Sequence, residues 1–514
     1  MRLHLVTIAL IAAATAPAAA HVGTSNAYFE GAAGPYGIRV IVRTPGVIPG
    51  LAQASVRILG GGSAERVTMR PLRSDVGLEG APPADVAGPV RGEPNLYSGE
   101  LWLMTAGSYS IEVTVSGAAG DGTVMVPVMA VAERSLEMHW AVGLGLAAAA
   151  LFLFFGAVTI FGAAVRESVL QPGAEPDRRS RRRGRIATVL AAGVLAGALA
   201  GGWSWWSAVD AAYRSRIYEP WSTTSAVDMT AGGAVLTLAI DDPERVANRH
   251  LPGAALLPDH GKLMHMFLVE ADALSAFAHV HPAPAGEDVF EVALPPLPPG
   301  EYRIFADIVL ENGFAPTLVN TVRVTGSAAA ATAPAQPAEG APPAAGPARD
   351  PDDSWAELQP RGASQSVEYA LPSGRTLRWD RDGAVVADTE ATLRFAARER
   401  DGSPAVLEPY MGMLSHAAVL RHDASVFVHL HPAGSINLTA QQRFEAAERA
   451  GDGSAPEAAG HMRMHAPDGP ADSVTFPFVF PQPGAWRLFV QVKIGGTVET
   501  AAFDVQVEDP AGRP

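Results

Sequence analysis

The chain has 514 residues, enough for about three domains of ~150 residues each, and its hydrophobic content of 48% can supply a core for every one of them. A formal net charge of −15 argues against nucleic acid as a partner. The sequence contains no cysteine, which excludes disulfides, thiolate metal sites, c-type haem attachment and blue-copper centres. Any metal must therefore be bound by His, Met or carboxylate side chains.

The N-terminus has the features of a secretory signal peptide, predicted at 1–20. An arginine at position 2 precedes the apolar run Leu5–Ala13, and the small residues 18–20 then offer a cleavage site. Cleavage there makes His21 the first residue of an exported chain. The amino group and imidazole of His21 can together chelate copper, whereas the alternative is an ordinary exposed terminus.

Two apolar stretches are long enough to cross the ~30 Å hydrocarbon core of a bilayer and predict transmembrane helices at 139–165 and 186–209. The short segment 166–185 between them is rich in arginine, which places it in the cytoplasm. Trp140 and Trp203 then lie at the outer interface, in agreement with that orientation. We therefore expect an inner-membrane protein whose N- and C-terminal regions lie in the periplasm. Neither span has an ionisable residue in its interior, which argues against transport.

Outside the membrane the chain repeats a strand signature, a glycine, one residue and an aromatic followed by alternating apolar positions, which begins at Gly107, Gly300 and Gly484. A period of two is typical of strands with one buried face. The predicted fold class is all-β modules plus membrane helices: three immunoglobulin-like β-sandwiches and two transmembrane helices. The modules and the Ala/Pro spacer between the last two are predicted at 21–135, 221–326, 354–508 and 327–353.

The second and third modules each contain a His-x-His-Pro motif that follows a strand carrying another histidine. Residues two apart on a strand share a face, so the two histidines of each motif point the same way. In the second module a hairpin is expected to bring His265 opposite His279. Neutral imidazole binds Cu, Zn and Ni, so the sequence predicts one metal site in each module. The six ligands are His265, His279, His281, His416, His429 and His431. The alternative is that these imidazoles only form hydrogen bonds to loop backbone.

Copper is the favoured metal, and zinc is the alternative. Thioether sulfur favours Cu(I), and two methionine pairs, Met264 with Met266 and Met411 with Met413, lie close to the motifs; buried core packing is their alternative role. A further group lies in the third module's insertion at 433–473, which is interpreted either as a flap with extra ligands or as a surface loop. Its candidate ligands are His461, Met464 and His465. His260 and Asp307 are lesser candidates.

The Gly-x-aromatic strand and the His-x-His-Pro hairpin resemble the YtkA-like and FixH-like periplasmic domains. That resemblance implies immunoglobulin-like modules associated with copper handling and respiratory oxidase assembly. The first module, which starts at His21, is similar to CopC-like proteins in beginning with histidine, but it lacks a recognisable partner histidine. The resemblance implies an envelope partner such as an oxidase or a copper exporter.

No nucleophile elbow, phosphate loop, dinucleotide fingerprint or His-Glu-x-x-His helix is present, so the sequence predicts a protein that is not an enzyme. The function expected is that of a membrane-anchored periplasmic metal-binding protein that buffers or delivers copper. The alternatives are a scaffold that binds envelope proteins through its β modules and a pH sensor based on the same imidazoles.

Overall fold

The computed structural model describes residues 26–171, 173–230, 233–325, 347–362, 366–381, 383–451 and 471–510. The described chain is mostly β-sheet, which confirms the all-β prediction at that level. It divides into two compact units, one formed by the regions on either side of 132–218 and the other by Ala132–Tyr218. The four helices of the described residues are α1 Trp140–Glu167, α2 Arg178–Arg214, α3 Pro243–Asn248 and α4 Leu438–Gly451.

The first module consists of two antiparallel sheets, in the strand orders β1-β2-β3-β7-β6 and β5-β4-β8-β9. Its buried apolar residues alternate along the strands, as in Ile38 and Val40 or Ile111 and Val113, because period-two apolar residues all point to one side. Its strands are β1 Ala27–Ala33, β2 Tyr36–Arg43, β3 Gly50–Ile58, β4 Arg66–Arg73, β5 Asp85–Val86, β6 Gly88–Pro89, β7 Leu96–Leu103, β8 Gly107–Gly117 and β9 Gly120–Ala130.

The second module has a four-stranded sheet in the order β10-β11-β16-β15 and a five-stranded sheet in the order β19-β17-β13-β14-β20, and it also contains the short pair β12-β18. Leu236 and Leu238 of one sheet share a buried core with Leu268 and Ile304 of the other. The strands are β10 Thr223–Thr230, β11 Gly233–Ile240, β12 Leu256–Leu257, β13 His265–Glu270, β14 Ala276–Val280, β15 Ala283–Gly286, β16 Val289–Ala293, β17 Gly300–Asp307, β18 Val309–Leu310, β19 Thr317–Val324 and β20 Ser354–Glu357.

The third module repeats this plan with sheets in the orders β21-β22-β24-β27 and β23-β29-β28-β25-β26. The sequence predicted that this module begins at residue 354. The strand at that position, β20, instead pairs with β14 of the second module, so the chain enters the third module only after β20. The remaining strands are β21 Glu368–Ala370, β22 Thr376–Asp380, β23 Val385–Val386, β24 Glu390–Arg398, β25 Ser415–Arg421, β26 Phe427–Leu430, β27 Ser473–Val479, β28 Gly484–Ile494 and β29 Thr497–Glu508.

The second and third modules pack together through the outer faces of their five-stranded sheets. Phe305 and Phe427 stack with ring centroids 4.2 Å apart, and Phe277 and Phe489 stack at 4.5 Å. Together with Phe267 and further buried residues these rings form one apolar cluster drawn from both modules. The same alternation that puts Leu268 in the second module's core therefore puts its neighbours Phe267 and Val269 against the third module.

The segment after His431 joins the third module to the first. The Gly434 amide hydrogen-bonds back to the His431 carbonyl, while the amide of Glu30 on β1 donates to Ala433. The helix α4 then packs on β9, where the Gln441 amide donates to the Met125 carbonyl at 2.8 Å. Of the two interpretations of the insertion, residues 433–451 favour a folded segment; residues 452–470 lie outside the described chain.

In the other unit, α1 and α2 have the length and apolar composition needed to cross a membrane. Few residues of their most apolar stretches are buried, 6% in α1 and none in α2. The sequence predicted a loop at 166–185 that contains the arginine cluster. This is wrong for residues 178–185, which form the first turns of α2. Arginine is a good helix former, and the Asp177 carboxylate caps the helix by accepting from the Ser180 amide.

Candidate metal centre

The six histidines of the two motifs form two triads on neighbouring strands. In the second-module triad, His265 lies on β13, His279 on β14 and His281 immediately after β14; in the third, His416, His429 and His431 hold the equivalent places. Within each triad one ring nitrogen from each histidine lies within 4.8 Å of the others. Each triad can therefore hold a metal ion.

The expected pairing of His265 with His279 is wrong, because the strand register is shifted by two residues. The register places His279 opposite Phe267, and the two rings stack with centroids 4.2 Å apart. His265 lies diagonally across the hairpin, yet its Nδ1 still lies 3.3 Å from His279 Nε2. Diagonal neighbours in a hairpin remain within reach of long or aromatic side chains, so the triad forms despite the different register.

The two triads meet at one end of the interface between the modules. The ring centroids of His265 and His429 are 5.6 Å apart, and those of His279 and His416 are 6.1 Å apart. Within the triads the corresponding distances range from 4.3 Å, for His429 and His431, to 5.7 Å, for His416 and His429. The sequence predicted one site per module, and the fold brings the two sites together.

A seventh histidine, His260, joins them. Its ring centroid is 5.1 Å from that of His431 and 6.1 Å from those of both His265 and His416. We call the seven residues the histidine cluster: His260, His265, His279, His281, His416, His429 and His431.

His260 enters the cluster from a tight two-residue turn. His260 and Gly261 both have positive φ, at 50° and 81°, and the flanking Asp259 and Lys262 exchange backbone hydrogen bonds. Such a turn requires positive φ at both central residues, which a histidine adopts only against a conformational preference. The third module has the same turn with Met411 and Gly412 in the central positions. Met411 is therefore the counterpart of His260.

Each module orients a histidine of the other. His279 Nδ1 lies 2.9 Å from Gln491 Oε1 on β28, and His429 Nδ1 lies 3.2 Å from Asp307 Oδ2 on β17. Asp307 and Gln491 occupy equivalent positions, paired with His265 and His416 respectively. The Asp307 carboxylate accepts from Thr317 and His429 and so acts as an orienting partner of the third-module triad. Partners of this kind fix the tautomer and direction of a ligating imidazole.

Two more histidines are held by their own module. His281 Nδ1 lies 3.1 Å from Asp353 Oδ1, which also accepts from the His281 amide, and His265 Nε2 lies 3.1 Å from the Asp259 carbonyl. The Asp353 carboxylate lies next to that of Asp350. Lys262 balances the charge of Asp350, with its Nζ 2.6 Å from Asp350 Oδ1. In these four oriented rings one nitrogen is fixed and the other points to a neighbouring histidine or has no partner.

The cluster contains several unpaired polar atoms. Buried ring nitrogens without a hydrogen-bond partner occur in five of the seven histidines, and they are Nε2 of His260, His281 and His429 and both ring nitrogens of His416 and His431. Leaving a buried polar atom unsatisfied costs about 1–3 kcal/mol. A group bound among these rings would offset part of that cost.

Burial favours the neutral form of five of these imidazoles. It lowers the pKa of His265, His279, His416 and His431 well below the usual value, and the neighbouring imidazoles lower each pKa further. Burial also lowers the pKa of His260, against the smaller opposing effect of the Asp259 carboxylate. The Ile436 backbone has a smaller, opposite effect and raises the pKa of His431. Since only neutral imidazole is a metal ligand, burial in the histidine cluster favours the protonation state that can bind metal.

The methionines next to the motifs divide into two groups. Met264 and Met266 are fully buried in the core of the second module, on the opposite face of the sheet from the histidine cluster. Their predicted alternative role in core packing is therefore confirmed. Met411 lies in the turn described above, and Met413 is buried beside it.

A cavity of about 130 Å³ opens beside the cluster. Its wall includes His265, His429, His431 and Asp307, together with Asn26 of the first module and Ala440 of α4. A cavity of this size holds several water molecules. The cavity thus borders one histidine of the second-module triad and two of the third. Four further candidate ligands lie outside the described residues: His21, His461, Met464 and His465.

One family model, described as "Domain of unknown function (DUF8832)", matches residues 225–326 and 370–509. The two matched segments correspond closely to the second and third modules, which contain the whole histidine cluster. No curated protein matches the chain.

Among solved structures, the chain is similar to a tetra-tandem repeat in the extending region of a large adhesion protein, at 9% identity over 91% of this chain and 72% of the other, with a TM-score of 0.15. It is also similar to the FN1-FN3 domains of chicken CNTN1, at 7% identity over 91% and 97% of the two chains and a TM-score of 0.14. A fragment of the ICAM-5 ectodomain gives 10% identity, 92% and 77% coverage and a TM-score of 0.14. Likenesses at these TM-scores carry no argument about fold or function.

Proposed function

We propose that this chain is a membrane-anchored, periplasmic metal-binding protein that uses its paired His-x-His-Pro hairpins to hold copper, either as a buffer or for delivery to an envelope partner. The observation that carries the proposal is the set of buried, unpaired imidazole nitrogens in the histidine cluster. A neutral imidazole has one lone pair, which a metal ion can accept, and the contacts of His281 Nδ1 and His429 Nδ1 with carboxylates leave Nε2 of both rings available for it.

Copper is favoured over zinc by the chemistry of the ligands and by the resemblance to copper-handling domains. Imidazole sites bind Cu(II) more tightly than the other divalent first-row ions. The absence of cysteine in the chain removes the thiolates that structural zinc sites commonly use. Zinc remains the alternative, since imidazole also suits it.

The anchor and the compartment follow from the same sequence features as before. We propose that α1 and α2 span the inner membrane with the arginine cluster on the cytoplasmic side. The three pairs of sheets, which we interpret as immunoglobulin-like β-sandwiches, then lie in the periplasm. Buffering or delivery is preferred to catalysis because the motifs point to no reaction.

The experiment is elemental analysis of the full chain purified in detergent without added chelator, followed by copper loading and dialysis. Retained copper and a higher melting temperature are expected, because a ligand bound only by the native state stabilises it. The variant in which His279, His281, His429 and His431 are replaced by Ala should lose the metal. His250→Ala is the matched control, since His250 is exposed and lies outside the cluster. Failure to retain either copper or zinc would contradict the proposal.

The alternative, a scaffold for other envelope proteins, is favoured by one feature of the first module. Leu51 and Trp102 face each other across β3 and β7 and are 41% and 57% exposed, and Met104 beside them is 60% exposed. Exposed apolar neighbours of this kind mark contact surfaces. If the scaffold role is the main one, the Trp102→Ser variant loses partner binding while the histidine variants of the metal experiment keep it.

A further inference from the structure

We propose that the histidine cluster is a single two-metal centre, in which His260 of the second module supplies the fourth imidazole to the metal ion held by the third-module triad. This rests on the proposed function and goes beyond it. The sequence predicts two separate sites of three ligands each, whereas the proposal makes the two sites neighbours and completes one of them with a histidine of the other module.

The number of imidazoles requires more than one ion. A copper or zinc ion in a protein takes about four strong ligands, and seven rings exceed that number. The nitrogens of each triad lie within 4.8 Å of one another, which suits one ion per triad. Since rings of different triads are hardly farther apart than rings of the same triad, two bound ions are direct neighbours.

His260 belongs with the third-module triad by distance. Its ring lies nearest to His431, at 5.1 Å between centroids. Its Nε2 is buried without a hydrogen bond; the nearest charged atom, Asp259 Oδ1, lies 3.7 Å away and is already bonded to Thr439. The turn, which the third module shares, fixes the backbone at His260 and with it the direction in which the ring leaves the chain.

The two metal positions are unequal. In the second-module triad His265 Nε2 faces the Asp259 carbonyl and His279 Nδ1 faces Gln491 Oε1, so these two nitrogens carry the protons of the neutral rings. The facing atoms, His265 Nδ1 and His279 Nε2 at 3.3 Å, therefore present two lone pairs that a metal ion can accept. The third-module position has four imidazoles once His260 is counted, against three in the second-module triad, and is therefore expected to fill first.

The test is a copper(II) titration of the full, metal-free chain in detergent, followed by electron paramagnetic resonance and elemental analysis. The first equivalent should give the signal of an isolated Cu(II) ion with nitrogen hyperfine structure. With the second equivalent, the signal should broaden or lose intensity and a half-field transition should appear, because two neighbouring spins couple. Two coppers per chain whose spins simply add, or only one copper per chain, would overturn the two-metal centre. Failure to bind any metal would instead overturn the proposed function.

The role of His260 is tested with His260→Asn, because asparagine tolerates the left-handed backbone of the turn. We expect the first equivalent to bind at least about tenfold more weakly, in line with the loss caused by disturbing groups around a metal site, and its hyperfine pattern to change. His279→Ala, in the other triad, should weaken the second equivalent more than the first. His250→Ala controls for the loss of any histidine. An unchanged first equivalent in a folded His260→Asn protein would overturn the assignment of His260.

Discussion

Acid should unfold the metal-free protein in a window set by its buried imidazoles. The folded state keeps His260, His265, His279, His416 and His431 neutral by lowering each pKa, whereas in the unfolded chain they titrate near 6.5. The unfolded state therefore binds more protons below pH 6.5, and the free energy of unfolding falls as the pH falls. The contribution of these histidines to the free energy of unfolding is fully present above about pH 7 and is lost progressively below about pH 6.5.

The size of the effect follows from linkage. A histidine that stays neutral in the folded protein but titrates near 6.5 in the unfolded chain removes about 1.4 kcal/mol of stability between pH 7.5 and 5.5. Five such residues give an upper bound of about 7 kcal/mol, comparable to the whole stability of a typical domain. Unpaired carboxylates titrate near pH 4 and act below this window.

The assay is urea unfolding of the chelator-treated chain at a series of pH values between 7.5 and 5.5. His279→Gln removes one titrating ring, so its loss of stability over this range should be smaller by about 1.4 kcal/mol. His250→Gln changes an exposed histidine and should leave the pH dependence as it is. Copper-loaded protein should resist acid to a lower pH, since the metal competes with protons for the same nitrogens. A stability that does not change between pH 7.5 and 5.5 would refute the reasoning.

Four further predictions concern the surroundings of the cluster and the anchor. Asp307→Asn should weaken copper binding by about 10- to 100-fold in a copper titration with a competing chelator, because it removes the carboxylate that orients His429, and an unchanged affinity would contradict this role. Phe427→Ala should destabilise the chain by about 3–5 kcal/mol in urea unfolding, since its ring is 1% exposed and fills the interface between modules. Gly434→Ala should loosen the first module and speed its limited proteolysis, because Gly434 has φ +114° and a Cβ there would collide with the carbonyl of strand β1. The chain has no cysteine, so Ser168→Cys and Ser215→Cys each introduce the only thiol; an impermeant maleimide added to intact spheroplasts should label the second and not the first, and the reverse pattern would contradict the orientation.

The strand pattern and both triads could be predicted from the sequence because they depend on local rules. Period-two alternation fixes which residues share a face, so the His-x-His pairs were expected to point together, and they do. The register of the hairpin could not be predicted with the same accuracy, since loop geometry decides whether His279 lies opposite His265 or Phe267. The displacement by two residues left the triad intact only because imidazole reaches its diagonal neighbour.

The meeting of the two triads could not be predicted, because it depends on how one sheet packs on another. The signal was nevertheless present in the faces of the strands: Phe267 and Phe277 share their face with the histidines, and an apolar ring on the outer face of a sheet indicates a surface that must be covered. The sequence repeat also includes the position of His260. His260 lies five residues before His265, and Met411 lies five residues before His416 in the third module. Aligning the two modules from the turn onward identifies this position as part of the motif.

The exchange of ligands and orienting groups between modules ties metal binding to the docking of the two sheets. Asp307 of the second module orients His429 of the third, and Gln491 of the third orients His279 of the second. A metal ion at either triad therefore stabilises the interface as well as the module that supplies its histidines, since separating the modules would remove an orienting group from each site. Under the proposed function, loosening the aromatic interface would withdraw these orienting groups and expose the imidazoles to protons, whose uptake would prevent rebinding. Separation of the two faces would then release the metal without unfolding either module.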